Sequence, residues 1–416
     1  MSDAAFRRAV AVLATLRIVP ALLVLAANGR SLPALPGYGF APPSGDTYGY
    51  YAAARDFIAV WARVAKPLLA VGLVLAVAGA AGAWILWRRR RRDVAVALAA
   101  VTLGLVLSIG VQAMSATGAG AVGWPLVWSL PLFPLRAAGA LGYHAAYYLG
   151  IALLLLCNVV TVVATALIAR RLVPGRIALL APSLLVAWPF LMRLVEGWGS
   201  DVQGSWLDDS GIALYTEPLS TALVATALAL LILRTPEPAW AALAGALLGF
   251  SAVVRISNVT IVAVAFAGLL FATSRRNLVA FAVASAGLLA VAAAYWPHGY
   301  STFDHHGDPR LDTPISWDYV VASWRDSNVF DWKMLLILLP LPLLGLWALR
   351  RNRYEAYLLA GTVVVTAAFY SAYSFTSLHP RFLFVALPPL FVLAAAGTQR
   401  LAVTVSAGRR RTSAAA

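Results

Sequence analysis

The side chains with the most chemistry to offer are a few acids that stand where long apolar runs begin or end. Asp46 follows the first apolar run and precedes three tyrosines, of which Tyr48 is the first. Glu217 leads through Pro218 directly into another apolar run. A carboxylate in such a position can accept a proton from a hydroxyl group. Both acids also suit a simpler role, since Asp caps turns and helices and Glu-Pro fits the first turn of a helix.

Three basic residues stand at comparable places. Arg255 lies between two apolar runs, and His379 and Arg381 open the last one. A cation there is costly unless it reaches the membrane surface or meets an anion, and a lipid phosphate is a natural partner. Arg can bind phosphate through two parallel hydrogen bonds, and His can donate to an oxyanion or transfer a proton. The alternative is an arginine that extends to ordinary lipid headgroups.

Two polar segments carry residue types that bind cations or sugars. Asp208 and Asp209 suit a divalent cation or the hydroxyls of a sugar, although acids are also ordinary in an aqueous loop. The Asp-His-His-Gly-Asp run at residues 304–308 has metal-ligand residue types, but adjacent residues point in different directions and no spaced pair completes a coordination shell. The sequence therefore assigns no metal ligand and leaves a divalent cation, Mg²⁺ or Mn²⁺, open as a cofactor.

The composition places these residues in a membrane protein. Of 416 residues, 61% are hydrophobic and 12% charged, and the mean hydropathy is +0.80. Soluble domains carry about twice that share of charge. The net charge of +15 resides in short arginine clusters between apolar runs, which is a topology signal and not a nucleic-acid surface. A single cysteine, Cys157, allows no intrachain disulfide and is predicted to be a small core residue.

The arginine clusters predict the topology, because basic residues of short loops lie on the cytoplasmic side. Placing every cluster inside gives about 12 spans with both termini cytoplasmic. The predicted fold class is all-α: one polytopic domain over residues 1–416 in the plasma membrane, with residues 9–27 retained as the first anchor. The clusters are Arg7-Arg8, Arg88 to Arg92, Arg170-Arg171, Arg234, Arg275-Arg276, Arg350-Arg351 with Arg353, and Arg409 to Arg411.

Four regions on the outer face must position the candidate residues: 28–66, 114–142, 196–218 and 297–332. Residues 48–64 in the first have the spacing of a helix at the membrane interface. The second is rich in Gly, Pro and Trp with little charge and is predicted to lie within the headgroup zone. The aromatics of the outer face are mostly predicted to form an interfacial belt, including Trp198, Trp206, Trp296, Trp317 and Trp324. Inner loops are short and basic, so chemistry is expected on the outer face.

Four segments, in this order and on this common face, resemble a known family. They are the acid at residue 46, the Tyr-Thr-Glu-Pro-Leu segment at 215–219, the Arg-Ile-Ser-Asn segment at 255–258, and the His-Pro-Arg-Phe-Leu segment at 379–383 that precedes Leu-Pro-Pro-Leu at 387–390. Together they resemble the polyprenyl-phosphate-sugar-dependent glycosyltransferases of the C-type membrane fold (GT-C). The arginine- and alanine-rich style further resembles actinobacterial mannosyltransferases and arabinosyltransferases of envelope glycolipids.

The resemblance implies an activity and a set of roles. The enzyme would move mannose, another hexose or arabinose, with inversion, from a polyprenyl-phosphate donor to a glycolipid or glycan acceptor at the outer face. Asp46 matches the family's first-loop acid, the general base, although the pair of acids frequent there is reduced to one. Arg255, His379 and Arg381 are the candidates for the donor phosphate. Tyr48, Glu217, Asp208 and Asp209 are those for the acceptor or sugar.

Two other classes remain as alternatives. A multi-span transporter or flippase of a lipid-linked sugar would also have about 12 spans, but its mark is ionisable residues near the membrane midplane. Here the spans are nearly free of charge except for Arg17. A non-catalytic assembly subunit is the other alternative.

Overall fold

A computed structural model of the chain describes residues 1–28, 45–114, 122–196, 211, 216–234, 237–299, 316–325, 339–372 and 380–415. Within these ranges the chain is helical and contains no strand. The predicted all-α fold class is confirmed at this level. His379, Asp208 and Asp209 lie outside the described residues.

The described residues form fifteen α-helices. In chain order they are α1 (Asp3–Asn28), α2 (Gly45–Val60), α3 (Lys66–Arg88), α4 (Arg92–Gln112), α5 (Gly123–Ala137), α6 (Tyr143–Leu172), α7 (Leu180–Glu196), α8 (Glu217–Leu233), α9 (Pro238–Val254), α10 (Val259–Ala272), α11 (Arg275–Gly299), α12 (Trp317–Arg325), α13 (Pro340–Ala348), α14 (Arg353–Ser371) and α15 (Leu387–Ala415). Short 3₁₀ turns precede α7 (Ile177–Leu179), α10 (Ile256–Asn258) and α15 (Pro380–Ala386).

Several of these helices suit a membrane. Among the described residues, five are long and apolar enough to cross one: Lys66–Arg88, Arg92–Gln112, Ala145–Leu172, Arg275–Tyr295 and Phe382–Ser406. Four shorter apolar helices accompany them: Ile177–Met192, Glu217–Leu233, Pro238–Val254 and Ile256–Ala272. The chain is an all-helical membrane protein, and about 12 spans remains a prediction.

Glycines let the central helices α4, α9 and α11 approach closely. A Cβ added at Gly104 of α4 would lie 1.8 Å from the backbone oxygen of Gly287 in α11. A Cβ at Gly245 of α9 would lie 2.3 Å from the oxygen of Phe281, also in α11. Between apolar helices such contact replaces the hydrophobic effect as the source of packing energy.

The region of residues 114–142, predicted to lie in the headgroup zone, contains helix α5, which includes Pro131 and Pro134 in its interior. Its Trp124 and Trp128 are fully buried, and Trp128 donates its indole N–H to the oxygen of Ala146 at 2.8 Å. Buried aromatic area outweighs the unfavourable prolines, and sequence composition does not reveal that burial.

Helix α2 confirms the helix predicted over residues 48–64 but packs more deeply than an interfacial helix requires. Ala53, Ala54 and Val60 have no exposed surface, and Phe57 is buried too. The buried face packs with residues of α5 and α9. This contact fixes the helix whose first turn contains Asp46.

Two ion pairs fix which helix ends lie together. Arg276 donates Nε to Asp93 Oδ2 at 2.7 Å and Nη2 to Asp93 Oδ1 at 2.9 Å, so α4 and α11 begin at the same end of the bundle. Arg170 Nη2 lies 3.0 Å from Asp3 Oδ1, which joins the end of α6 to the start of α1. The side of the membrane on which these ends lie stays a prediction.

Candidate functional site at the Glu217–Arg255 ion pair

Arg255 lies at a break between two short helices, as the sequence predicts. Its backbone is extended (φ −148°, ψ 115°), which ends α9, and the Ile256–Asn258 turn then begins α10. Asn258 pins this break by donating Nδ2 to the oxygen of Ser251 at 3.1 Å and to Ser220 Oγ of α8 at 2.6 Å. The hydrogen bond to Ser220 holds the break against the first turns of α8.

Glu217 is the first residue of α8 and is followed by Pro218, which needs no hydrogen-bond acceptor there. The carboxylate does not extend into solvent, because Glu217 is only 4% exposed. Its Oε1 lies 2.7 Å from Arg255 Nη1. The anion that meets Arg255 within the protein is therefore Glu217.

The ion pair is largely withdrawn from solvent. The Arg255 side chain is 12% exposed and that of Glu217 5%. Removing one partner from such a pair leaves an uncompensated charge and typically costs about 3–5 kcal/mol. Arg255 Nη1 faces the Glu217 carboxylate at ion-pair distance, so the carboxylate holds this end of the guanidinium group in place.

Two aromatic rings form a wall beside the guanidinium group. Tyr370 and Phe382 stack with ring centroids 5.0 Å apart and planes 9° apart. Arg255 Cζ lies 5.1 Å from the Tyr370 centroid and 5.0 Å from that of Phe382. The Tyr370 hydroxyl in turn shares a 2.7 Å hydrogen bond with Ser257 Oγ. This wall limits the orientations open to the guanidinium group.

Two further predicted segments reach the same place. Tyr50 of α2 packs against the buried cluster that contains Val253, and Ile256 packs against the same cluster, so this part of α2 lies near Arg255. Asp46 is four residues before Tyr50 and therefore on the same face of α2. Arg381 immediately precedes Phe382 in the Pro380–Ala386 turn. For Asp46, Tyr48 and Arg381 the structure describes the backbone alone.

Sequence reasoning missed part of this site. Tyr370 is a single tyrosine in the last turn of α14, and no pattern distinguishes it from neighbouring core aromatics. Ser257 and Asn258 belong to the Arg-Ile-Ser-Asn segment that the sequence did identify, but their partners lie on α8 and α14. Only the folded chain brings these residues together.

A second polar cluster is centred on Arg17 and Asn158. Arg17 of α1 donates Nε to Asn158 Oδ1 at 3.1 Å and Nη1 to the oxygen of Leu185 at 3.2 Å. Asn158 Nδ2 donates to the oxygen of Gly211 at 3.0 Å. The cavity at this cluster has a volume of about 20 Å³, which is room for about one water molecule. Arg17 thus holds α1, α6 and α7 together within the bundle.

Metal ligation finds no support in the described part of the chain, where no group of three or more His, Cys, Asp or Glu residues is close enough to hold an ion. Cys157 is buried, as predicted. The Asp-His-His-Gly-Asp run lies outside the described residues.

Comparison with known proteins finds similarity among solved structures. No protein-family model matches the chain, and no curated protein matches it. Among solved structures, the chain is similar to the archaeal oligosaccharyltransferase AglB from Archaeoglobus fulgidus, in complex with an inhibitory peptide and a dolichol-phosphate, with 12% sequence identity and a TM-score of 0.41. The match covers 71% of this chain and 44% of that protein. At this level the similarity assigns neither substrate nor chemistry.

Proposed function

We propose that the chain is a membrane glycosyltransferase that moves a sugar from a polyprenyl-phosphate donor to a lipid or glycan acceptor at the outer face of the plasma membrane. The observation that supports this proposal most is the meeting of four separate segments at one end of the helical bundle. The ion pair of Glu217 and Arg255 lies near α2, whose first turn contains Asp46, and beside the turn that contains Arg381.

In the proposed reaction the acceptor hydroxyl attacks the anomeric carbon of the donor sugar. Asp46 accepts the hydroxyl proton as the new carbon–oxygen bond forms. The bond from the anomeric carbon to the phosphate oxygen breaks, and its electron pair leaves with polyprenyl phosphate. A direct displacement inverts the anomeric centre. The sugar is a hexose such as mannose, or arabinose.

The leaving phosphate gains negative charge in this step, and the basic residues provide the stabilisation. Arg255 contributes a guanidinium group held in place by Glu217 and the Tyr370–Phe382 wall. Arg381 and His379 are proposed to bind the same phosphate. Since charges act strongly in a site of low dielectric constant, the burial of this pair favours such a role.

The remaining candidate residues are assigned to binding of the acceptor and the sugar. Tyr48, Asp208 and Asp209 are proposed to bind sugar hydroxyls. Glu217 lies in direct contact with Arg255, so its proposed part includes orienting that guanidinium group. No residue is assigned to a metal, and a divalent cation remains a candidate cofactor.

The proposal is tested with Asp46→Asn. Purified protein in proteoliposomes receives a panel of radiolabelled polyprenyl-phosphate sugars, and the labelled product and the released polyprenyl phosphate are both measured. Loss of a general base reduces transfer by about 10²- to 10⁴-fold, because the acceptor hydroxyl remains a poor nucleophile. The matched control is Asp56→Asn, since Asp56 lies on the same helix but pairs with Arg63. That variant is expected to retain most of the activity.

Near-normal transfer by Asp46→Asn would refute the assignment of the base. No transfer by the native protein with any sugar of the panel, together with movement of a lipid-linked sugar across the vesicle membrane, would favour the flippase alternative. The buried Arg17 is the observation on which that alternative depends, because ionisable residues within spans mark transport pathways.

A further inference from the structure

A cavity of about 380 Å³ lies far from the Glu217–Arg255 site, between the ends of three helices. Leu172 and Val173 at the end of α6 form one wall, Leu349 to Arg351 between α13 and α14 form the second, and α15 contributes Gln399, Arg400 and Val403. Helix α14 begins beside this cavity and ends at Tyr370 and Ser371 beside Arg255. Its 19 residues span about 28 Å, so the two sites lie about one bilayer thickness apart.

Three arginines line the cavity: Arg350, Arg351 and Arg400. The lining contains no acidic residue, and these arginines form no ion pair among the described residues. Arg400 Nε is buried and has no hydrogen-bond partner in that part of the chain. Like charges brought together at the end of a bundle repel one another unless an anion lies between them.

Two of the three arginines contact the same aromatic ring. Arg350 and Arg400 both lie against the ring of Trp347, with their Cζ atoms 4.6 Å and 4.4 Å from its centroid. Helices α13 and α15 touch backbone to backbone just before this point. A Cβ at Gly345 would lie 2.0 Å from the oxygen of Leu393, and one at Gly397 would lie 2.0 Å from the oxygen of Leu341. The close contact of α13 with α15 therefore brings Arg350 and Arg400 to the same ring.

We propose that this cavity binds the phosphodiester headgroup of an anionic phospholipid. Guanidinium groups bind phosphate oxygens in pairs of parallel hydrogen bonds, and basic cavities between membrane helices on the cytoplasmic side are typical sites for anionic lipids. Leu172, Leu349 and Val403 offer apolar surface for the lipid beyond the headgroup. The cavity lies at the end of the bundle where the arginine clusters occur, the predicted cytoplasmic end. The site is independent of the proposed transferase chemistry.

Retention of lipid by the intact protein tests the proposal. Protein is purified with phosphatidylglycerol and phosphatidylcholine of identical acyl chains, and bound lipid is counted by native mass spectrometry. The native protein is expected to retain phosphatidylglycerol preferentially. Arg351→Gln combined with Arg400→Gln is expected to lower that retention by about tenfold, since charge-assisted hydrogen bonds are lost. The matched control is Arg88→Gln with Arg89→Gln, two exposed arginines at the end of α3 on the same predicted side.

A charge-conserving pair of substitutions, Arg351→Lys with Arg400→Lys, keeps the test decisive if the Gln variant does not fold. Lysine keeps the charge but not the planar fork, so a several-fold loss of retention is expected. Equal retention by the native protein and whichever of these two variants folds overturns the proposal. So does equal retention of the two lipids by the native protein. Displacement of the lipid by an equal concentration of inorganic phosphate would show a site for free anions and overturn the assignment to phospholipid.

Discussion

At the scale of single residues, Arg255 is the centre of the candidate site. It is held by an anion on α8 and by two rings, one from α14 and one from the turn before α15. A guanidinium group fixed from three directions is preorganised, so binding a phosphate there requires little loss of side-chain entropy. Flexible lysine, by contrast, offers a point charge without a plane to stack.

Arg255→Lys is therefore expected to raise the KM for the polyprenyl-phosphate donor by about tenfold, corresponding to about 1.4 kcal/mol of binding free energy. The reason is that the ammonium group keeps the charge opposite Glu217 but loses the fork and the aromatic contact. Steady-state kinetics with the donor as the varied substrate provide the measurement.

Arg234→Lys provides the control for that substitution. Arg234 also lies over an aromatic ring, with Cζ 5.6 Å from the centroid of Trp240, but at the opposite end of α8. Its donor KM is expected to equal that of the native protein. An unchanged KM for Arg255→Lys would show that Arg255 only stabilises the fold through Glu217.

At the scale of helices, the position of the site depends on how closely α4, α9 and α11 pack. Arg255 follows α9 directly, and α9 touches α11 at Gly245 and Gly249. Helix α11 in turn touches α4 at Gly104 and Gly287. Any larger residue at these crossings must move a backbone, because the nearest atoms belong to the main chain of the partner helix.

Gly104→Ala is expected to lower the free energy of unfolding by about 1–3 kcal/mol, as overpacked cores do. Thermal unfolding of the protein in detergent, followed by loss of soluble monomer, measures the effect as a lower Tm. Gly49→Ala is the matched control. Gly49 also lies within a helix, but a Cβ there has no atom within 4 Å.

Because alanine favours helix more than glycine does, the control is expected to leave the Tm unchanged or raise it slightly. A Tm for Gly104→Ala that equals that of Gly49→Ala would contradict the close contact between α4 and α11.

Helices α2 and α5 show which secondary structure can be predicted from sequence patterns and which cannot. The polar and apolar spacing of residues 48–64 correctly predicted a helix, since amphipathic periodicity is a local property. The sequence patterns predict no helix at residues 123–137, where α5 forms, because the burial of Trp124 and Trp128 depends on α6 and other distant residues. Where tertiary packing contributes more free energy than local helix propensity does, the packing decides the secondary structure.

At the scale of the whole molecule, the predicted topology places residue 2 in the cytoplasm and residue 317 outside. Cys157 is buried and is the sole cysteine of the sequence, so Cys157→Ala gives a background without thiols. On it, Ser2→Cys and Trp317→Cys introduce exposed thiols, since Trp317 is 75% exposed.

A membrane-impermeant maleimide applied to intact cells is expected to label Trp317→Cys and to spare Ser2→Cys until the cells are permeabilised. The opposite pattern would invert the topology and move the candidate site to the cytoplasmic side. Labelling of both in intact cells would place both residues outside, so that an even number of spans separates them and not the odd number predicted.

The sequence by itself determined that this is an all-α membrane protein, and it identified Glu217 and Arg255 as site candidates. Composition and the spacing of apolar runs carry that information locally, and ionisable residues stand out among hydrocarbon because their burial is costly. The pairing of Glu217 with Arg255, the Tyr370–Phe382 wall and the arginine-lined cavity were decided only by the tertiary structure. These contacts join helices that are far apart in the chain, and only the packing of whole helices brings their side chains within a few ångströms.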